Sequence, residues 1–303
     1  MDRTVEGYLA QLRAALAGAD PALVQDAAYD AEEYLRDALA ETDGSEEGFD
    51  AVVEAYGTPE EIASSYRDAE ITVAAALRKP VSAVKSTNPI ARFFGVLVDP
   101  SAWGALFYMV LSLATGIVYF TIVVTGLSLT VGLAVLIVGL PFALLFLALV
   151  RAISLAEGRM VEGLLGERMP RRPSTVGQTG GIWERIKSWL TDYRTWTTML
   201  YMVLQMFFGI AYFTAVVTAF AVCVSLLALP FVQVLAGEPL LIVDGFRYWI
   251  EPWGYPVFIL GGLLGVVGTM WIAKGVGKMH AAYAKAMLVG RFEQPAPGTA
   301  PVA

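Results

Sequence analysis

Tyr108-Met109-Val110-Leu111, Gly116-Ile117, Tyr119-Phe120-Thr121 and Val123-Val124-Thr125 return 93 residues later as Tyr201-Met202-Val203-Leu204, Gly209-Ile210, Tyr212-Phe213-Thr214 and Val216-Val217-Thr218. The correspondence reaches upstream without a gap: Trp103 falls on Trp196, Asp99 on Asp192 and Arg92 on Arg185. Both copies lie in uncharged stretches longer than the ~20 residues a helix needs to cross a bilayer. No formal charge occurs between Asp99 and Arg151, or between Arg194 and Glu238. The chain therefore reads as all-α: a polytopic helical membrane protein with two repeats and a small N-terminal cytosolic helical domain.

Charge divides the chain in two. Residues 1–75 hold 18 Asp and Glu against 4 Lys and Arg, whereas residues 76–303 hold 10 against 17. An acidic headpiece repels phosphates, which excludes direct nucleic-acid binding as its role. The bases cluster beside the apolar segments, as the cytoplasmic flanks of spanning helices do. The N-terminus, Met-Asp-Arg-Thr-Val-Glu, lacks the apolar stretch of a signal peptide, so the head is expected in the cytosol. The single cysteine, Cys223, lies among apolar residues and is expected to be a buried small hydrophobe.

Within the head, the apolar spacing predicts four helices. The first carries Tyr8, Leu9, Leu12 and Leu16. A second, over about 21–41, starts at Asp20-Pro21, an N-cap followed by proline at the first helical position. A third is capped by Ser45 and closed by Gly57. Thr58-Pro59-Glu60-Glu61 is a capping box that starts the fourth, through Ile62 and Tyr66 towards residue 78. The acidic string Asp30-Ala31-Glu32-Glu33 is read as a solvated helix face rather than a metal site.

This head resembles the HAAS family, the helical signalling domain found beside helix-turn-helix regulators. The likeness rests on Tyr8-Leu9 with Leu12, on Asp30-Ala31-Glu32-Glu33-Tyr34, and on Ser45-Glu46-Glu47 followed by Tyr56-Gly57-Thr58-Pro59-Glu60-Glu61-Ile62-Ala63. It implies docking or relay to a partner and no chemistry. Tyr8, Leu12, Tyr34, Tyr56 and Tyr66 are the candidate partner-binding residues.

Residues 76–102 read as a basic linker and interfacial helix, and Trp183 to Leu190 opens the second repeat in the same way. The first repeat, 103–175, is expected to hold spans at 103–125 and 128–150. A short turn near Gly126 joins them, and a cytoplasmic surface helix follows over 151–166. The second repeat, 176–291, holds a span from Trp196, a broken or re-entrant outer excursion over about 221–254 containing Pro230, and a last span at 255–273. Four spans, rather than five, keep both termini cytoplasmic and satisfy the positive-inside bias of Lys274, Lys278, Lys285 and Arg291. Glycines 261, 262, 265 and 268 are read as helix-packing positions. The tail, 292–303, is Pro- and Ala-rich and expected to be disordered.

The membrane part resembles the sensor transmembrane domain found in front of many bacterial histidine kinases. Gly116-Ile117-Val118-Tyr119-Phe120-Thr121, Gly126-Leu127-Ser128-Leu129, Val138-Gly139-Leu140-Pro141, Arg151 and Leu164-Leu165-Gly166 carry that likeness, over about 90–290. No kinase is read in the residues that follow it up to Ala303. The resemblance implies a sensor whose output lies in another protein.

Nothing in the sequence assembles a catalytic set, a metal site or a cofactor fingerprint, so the chain is expected not to be an enzyme. The one histidine, His280, is read as a headgroup-level or solvent-facing residue. The absence of charge at membrane depth weighs against coupled transport. Tyr119, Thr121 and Thr125, with Tyr212, Thr214 and Thr218, are the candidate ligand contacts, since equivalent positions of two repeats can face each other across a pseudo-twofold axis. Three readings follow: a non-enzymatic inner-membrane regulator that relays a membrane-borne signal to a cytosolic regulator or kinase, a structural or accessory subunit that self-associates, and a carrier of lipid or a hydrophobic small molecule.

Overall fold

The computed structural model describes residues 4–42, 46–77, 88–134, 139–172, 182–239 and 241–289. Ser45, most of the 76–87 linker, the 173–181 loop and the 292–303 tail lie outside them.

Four helices build the head: α1 (Val5–Ala15), α2 (Pro21–Ala40), α3 (Glu46–Tyr56) and α4 (Pro59–Leu77). Asp20 caps α2 through Ala22 N at 2.9 Å, ahead of proline at the first position. The capping box forms in both directions. Thr58 N donates to Glu61 Oε2 at 2.9 Å, and Glu61 N donates to Thr58 Oγ1 at 3.3 Å. The Thr58 amide, and after it the Thr58 hydroxyl, hold the Glu61 carboxyl below its ordinary range. Gly57 sits at φ +115°, a conformation open to glycine, and its carbonyl accepts Tyr8 Oη at 2.8 Å. Leu12, Leu16, Leu23, Leu35, Phe49 and Val52 close a single small core.

A short helix, α5 (Pro89–Phe94), and a 3-10 turn (Gly95–Val98) lead into the membrane part. There, α6 (Pro100–Gly132), α7 (Gly139–Leu165), α9 (Tyr193–Ala236) and α10 (Tyr255–Leu288) are each long and apolar enough to cross a bilayer. The amphipathic α8 (Ile182–Thr191) precedes α9. Leucine, valine and phenylalanine cover the outer faces: Phe107, Ile117, Leu145, Phe207 and Leu260 are all more than half exposed or nearly so. Such a surface is stable only against lipid.

Three boundaries differ from those read in the sequence. The turn expected near Gly126 falls instead beyond Gly132. Gly126 is inside α6, where a Cβ would collide with the Phe146 ring, so this glycine packs two helices rather than ending one. The expected surface helix over 151–166 is the continuation of α7, with no break after Val150. Finally, 221–236 is neither broken nor re-entrant. α9 runs through Pro230 to Ala236, where Gly237 terminates it in the left-handed conformation. A proline removes a single donor, and neighbouring helices compensate for that loss in membrane proteins.

At 44 residues, α9 spans about 66 Å and outreaches the ~30 Å hydrocarbon core. Its far end carries a small hairpin, β1 (Leu241–Val243) and β2 (Phe246–Tyr248), turned through Asp244 and Gly245, both at positive φ. Gln233 anchors the return: its side chain exchanges two hydrogen bonds with the Ile250 backbone, at 2.9 and 3.1 Å. Trp249 and Trp253 are left exposed beside it.

The 93-residue offset recurs in the contacts. Asp99 caps α6 through Ser101 N, and Asp192 caps α9 through Arg194 N. Trp103 Nε1 donates to Leu97 O and Trp196 Nε1 to Leu190 O, both at 2.8 Å. A Cβ on Gly116 would fall 2.6 Å from Gln205 O, and one on Gly209 would collide with Ser112 O. The two glycines therefore let α6 and α9 cross backbone to backbone. On α10, Gly262 and Gly265 pack against Leu227 and Cys223 of α9, whereas Gly261 and Gly268 face open space and take no part in packing.

Candidate functional site

The α6–α9 crossing brings Tyr108 and Tyr201 hydroxyl to hydroxyl at 3.3 Å. Into this seam α7 places Glu157 and α10 places His280; both are buried, at 1% and 2% exposed. Glu157 Oε1 accepts Tyr108 Oη at 2.5 Å and Tyr201 Oη at 2.8 Å, and Oε2 accepts Tyr119 Oη at 2.8 Å. His280 Nε2 lies 2.8 Å from Tyr108 Oη and 3.2 Å from Tyr201 Oη, and Nδ1 lies 3.2 Å from Tyr212 Oη. Gln205 Nε2 donates to Tyr108 Oη at 3.0 Å.

The arrangement has a second internal correspondence. Glu157 and His280 are 123 residues apart, as are Arg151 and Lys274. Tyr119 meets Glu157 where its counterpart Tyr212 meets His280. Asp99 pairs with Lys274 at 2.5 Å, where its counterpart Asp192 pairs with Arg151 at 3.3 Å. In both ion pairs the aspartate caps a helix of one half and the cation belongs to the other half. The longer offset reflects the extra chain in the second half, the end of α9 and its hairpin.

Chemically, the seam is a carboxylate wrapped by three phenolic donors, with an imidazole on the far side of two of them. Three phenolic hydroxyls thus satisfy the Glu157 carboxyl oxygens in a buried site. With both seam tyrosines donating to Glu157, imidazole Nε2 supplies the complementary donor to their oxygens and Nδ1 accepts from Tyr212. A shift of the His280 tautomer would exchange donor and acceptor in these bonds. Two buried polar atoms, Gln205 Oε1 and Tyr283 Oη, have no partner among the described residues.

Of the residues read as candidate ligand contacts, Tyr119 and Tyr212 reach the seam, where they meet Glu157 and His280. Thr121, Thr125, Thr214 and Thr218 are on exposed faces of α6 and α9; Thr121 Oγ1 bonds back to Ile117 O at 2.8 Å. Glu157 was read on a surface helix and His280 at the headgroups or in solvent. Both readings are corrected, because α7 continues inward-facing past Arg151 and α10 extends well beyond residue 273. The premise that the bundle holds no ionisable group falls with them.

The head packs on the same end of the bundle. Asp26 Oδ1 accepts the backbone amides of Arg171 and Arg172, both at 2.8 Å, and Oδ2 lies 3.6 Å from Arg168. Burial pushes the Asp26 carboxyl above its ordinary range, against the pull of those amides and of Arg168. Arg172 Nε meets Asp30 Oδ1 at 2.9 Å, and Lys285 of α10 meets Asp20 at 2.7 Å. Of the head residues assigned to partner binding, Tyr8 and Leu12 are core. Tyr66 donates to Asp30 at 2.7 Å. Tyr34 is exposed and stacks at 4.5 Å on Tyr56, which packs against the head core.

Comparison with known proteins agrees with this architecture. The HAAS family matches residues 7–65, the head. No curated protein and no solved structure matches the chain. The family described as Putative sensor matches residues 108–288, which hold the whole polar seam, α7, α9, α10 and all but the first eight residues of α6, and the chain belongs to that family.

Proposed function

We infer that this protein is a non-enzymatic sensor of the cytoplasmic membrane, with both termini cytoplasmic, whose bundle responds to a membrane-borne signal and whose head passes the response to a cytosolic regulator or kinase. One observation carries the reading. Helix α7 delivers Glu157 to the seam, and the segment immediately after it, Glu167 to Arg172, holds the head through Asp26 and Asp30. A change in how the four helices pack around Glu157 thereby has a short covalent route to the head. A signal acts by favouring one packing over another, since only differential affinity moves such an equilibrium.

The test is affinity purification of the intact chain from native membranes in mild detergent, with identification of co-eluting proteins. The comparison is Tyr34→Ala, which removes the exposed ring of that stacked pair. A soluble regulator or kinase recovered with the intact chain and lost with the variant supports relay. Recovery of self-oligomers or membrane subunits alone, unaffected by the substitution, favours the accessory-subunit reading.

A further inference from the structure

Where the head meets the bundle there is a cavity of about 50 Å³, several times the ~10–15 Å³ that one water needs. Its wall includes Gln25 of the head, Arg151 and Ser154 of α7, and Asp192, Arg194 and Thr195 at the start of α9. Two guanidiniums face one carboxylate, which leaves the wall with a net positive charge. Both cations are held in place. Arg151 lies over the Trp189 ring at 4.5 Å and meets Asp192 at 3.3 Å, and Arg194 Nη1 donates to Gln25 Oε1 at 3.0 Å. Thr195 supplies the independent observation. It is 3% exposed, it lines this cavity, and its hydroxyl has no hydrogen-bond partner among the described residues.

A buried hydroxyl without a partner costs stability, and in a native site it calls for a ligand atom. The first turn of α9 also directs positive potential here. We propose that this cavity binds a phosphate group, with Thr195 Oγ1 donating to one oxygen and Arg151 and Arg194 facing the others. Planar guanidiniums suit such an oxyanion. The group is either free phosphate from the cytosol or the phosphate of an anionic lipid, since the cavity lies at the end of the spanning helices where headgroups reside. Occupancy would tie Gln25 of the head to α7 and α9 through Arg194. This site stands on its own geometry and does not depend on whether the head recruits a regulator.

The experiment uses the full chain in phosphatidylcholine nanodiscs, with the thermal unfolding midpoint followed during titration with inorganic phosphate at constant ionic strength. A parallel set of nanodiscs contains phosphatidylglycerol. Thr195→Val keeps the shape and removes the hydroxyl. Thr214→Val, on an exposed face of α9, is the control. Saturable stabilisation by inorganic phosphate, weakened about tenfold or more in Thr195→Val and unchanged in Thr214→Val, supports a free-phosphate site. Stabilisation by phosphatidylglycerol alone, lost in Thr195→Val, supports a lipid phosphate. No stabilisation by either, or stabilisation equal in Thr195→Val and the parent, overturns the proposal.

Discussion

Replacing Gly116 or Gly209 with alanine tests the crossing on which the seam depends. A Cβ at Gly116 would sit 2.6 Å from Gln205 O and 2.8 Å from Met206 Cα. Carbon in ordinary contact needs about 3.5 Å, so α6 and α9 must part by about 1 Å. Overpacking of that kind costs about 1–3 kcal/mol. The same displacement takes Tyr108 Oη of α6 and Tyr201 Oη of α9, now 3.3 Å apart, to about 4.3 Å, outside hydrogen-bond range. Once the helices have parted, the second glycine is already relieved, so the double substitution should cost less than the two single ones together. Unfolding in mixed micelles with increasing dodecyl sulfate measures these differences. Gly268→Ala is the control, because nothing lies within 4 Å of its Cβ position. Equal stability of Gly116→Ala, Gly209→Ala and Gly268→Ala would refute the close crossing.

Asp26→Ala should free the head, because it strands the amides of Arg171 and Arg172 at a cost of about 1–3 kcal/mol, while Asp26→Asn keeps the acceptor and should cost less. Trypsin cleavage after Arg171 reads the difference, since Pro173 blocks cleavage after Arg172. Burial alone would raise the Asp99 carboxyl, but the Lys274 and Ser101 hydrogen bonds outweigh it and hold it at about 2. The Asp99–Lys274 contribution is therefore complete above the ordinary carboxylate range and lost as pH falls through about 2; an acid titration of Asp99→Asn should lack that component. In a Cys223→Ala background, a cysteine placed at Asp244 should react with an impermeant maleimide added outside intact cells, and one placed at Glu60 only after permeabilisation. The reverse pattern would invert the topology.

The helical bundle was legible because lipid imposes long uncharged segments and because Tyr108 to Thr125 repeats without a gap. Local chemistry was equally plain at Asp20-Pro21 and at Thr58 to Glu61, where capping residues contact their own neighbours. The candidate site was only half legible. Tyr119 and Tyr212 lie within the ungapped match, but Glu157 and His280 correspond at a different offset, displaced by the end of α9 and its hairpin. The pairing of Arg151 with Lys274 at that same offset was the available signal. Glu157 also lies among Arg151, Arg159 and Glu162, a charged neighbourhood that suits a surface helix as well as a buried one. Its three tyrosine partners come from α6 and α9, and such convergence is set by tertiary packing alone. Gly126 misled for a related reason: in a membrane helix glycine marks close approach as often as a turn.

The central claim is that the seam and the head are coupled through α7 and the segment after it. Amide hydrogen exchange of the full chain in nanodiscs, comparing the parent with Glu157→Gln, tests it most directly. The amides of Arg171 and Arg172 report the dock, since both donate to Asp26, and the α1 and α4 amides report the head's own core. The account predicts faster exchange at 171–172 in the variant with the head core unchanged. Identical exchange at 171–172, in a variant whose seam amides do change, would contradict it.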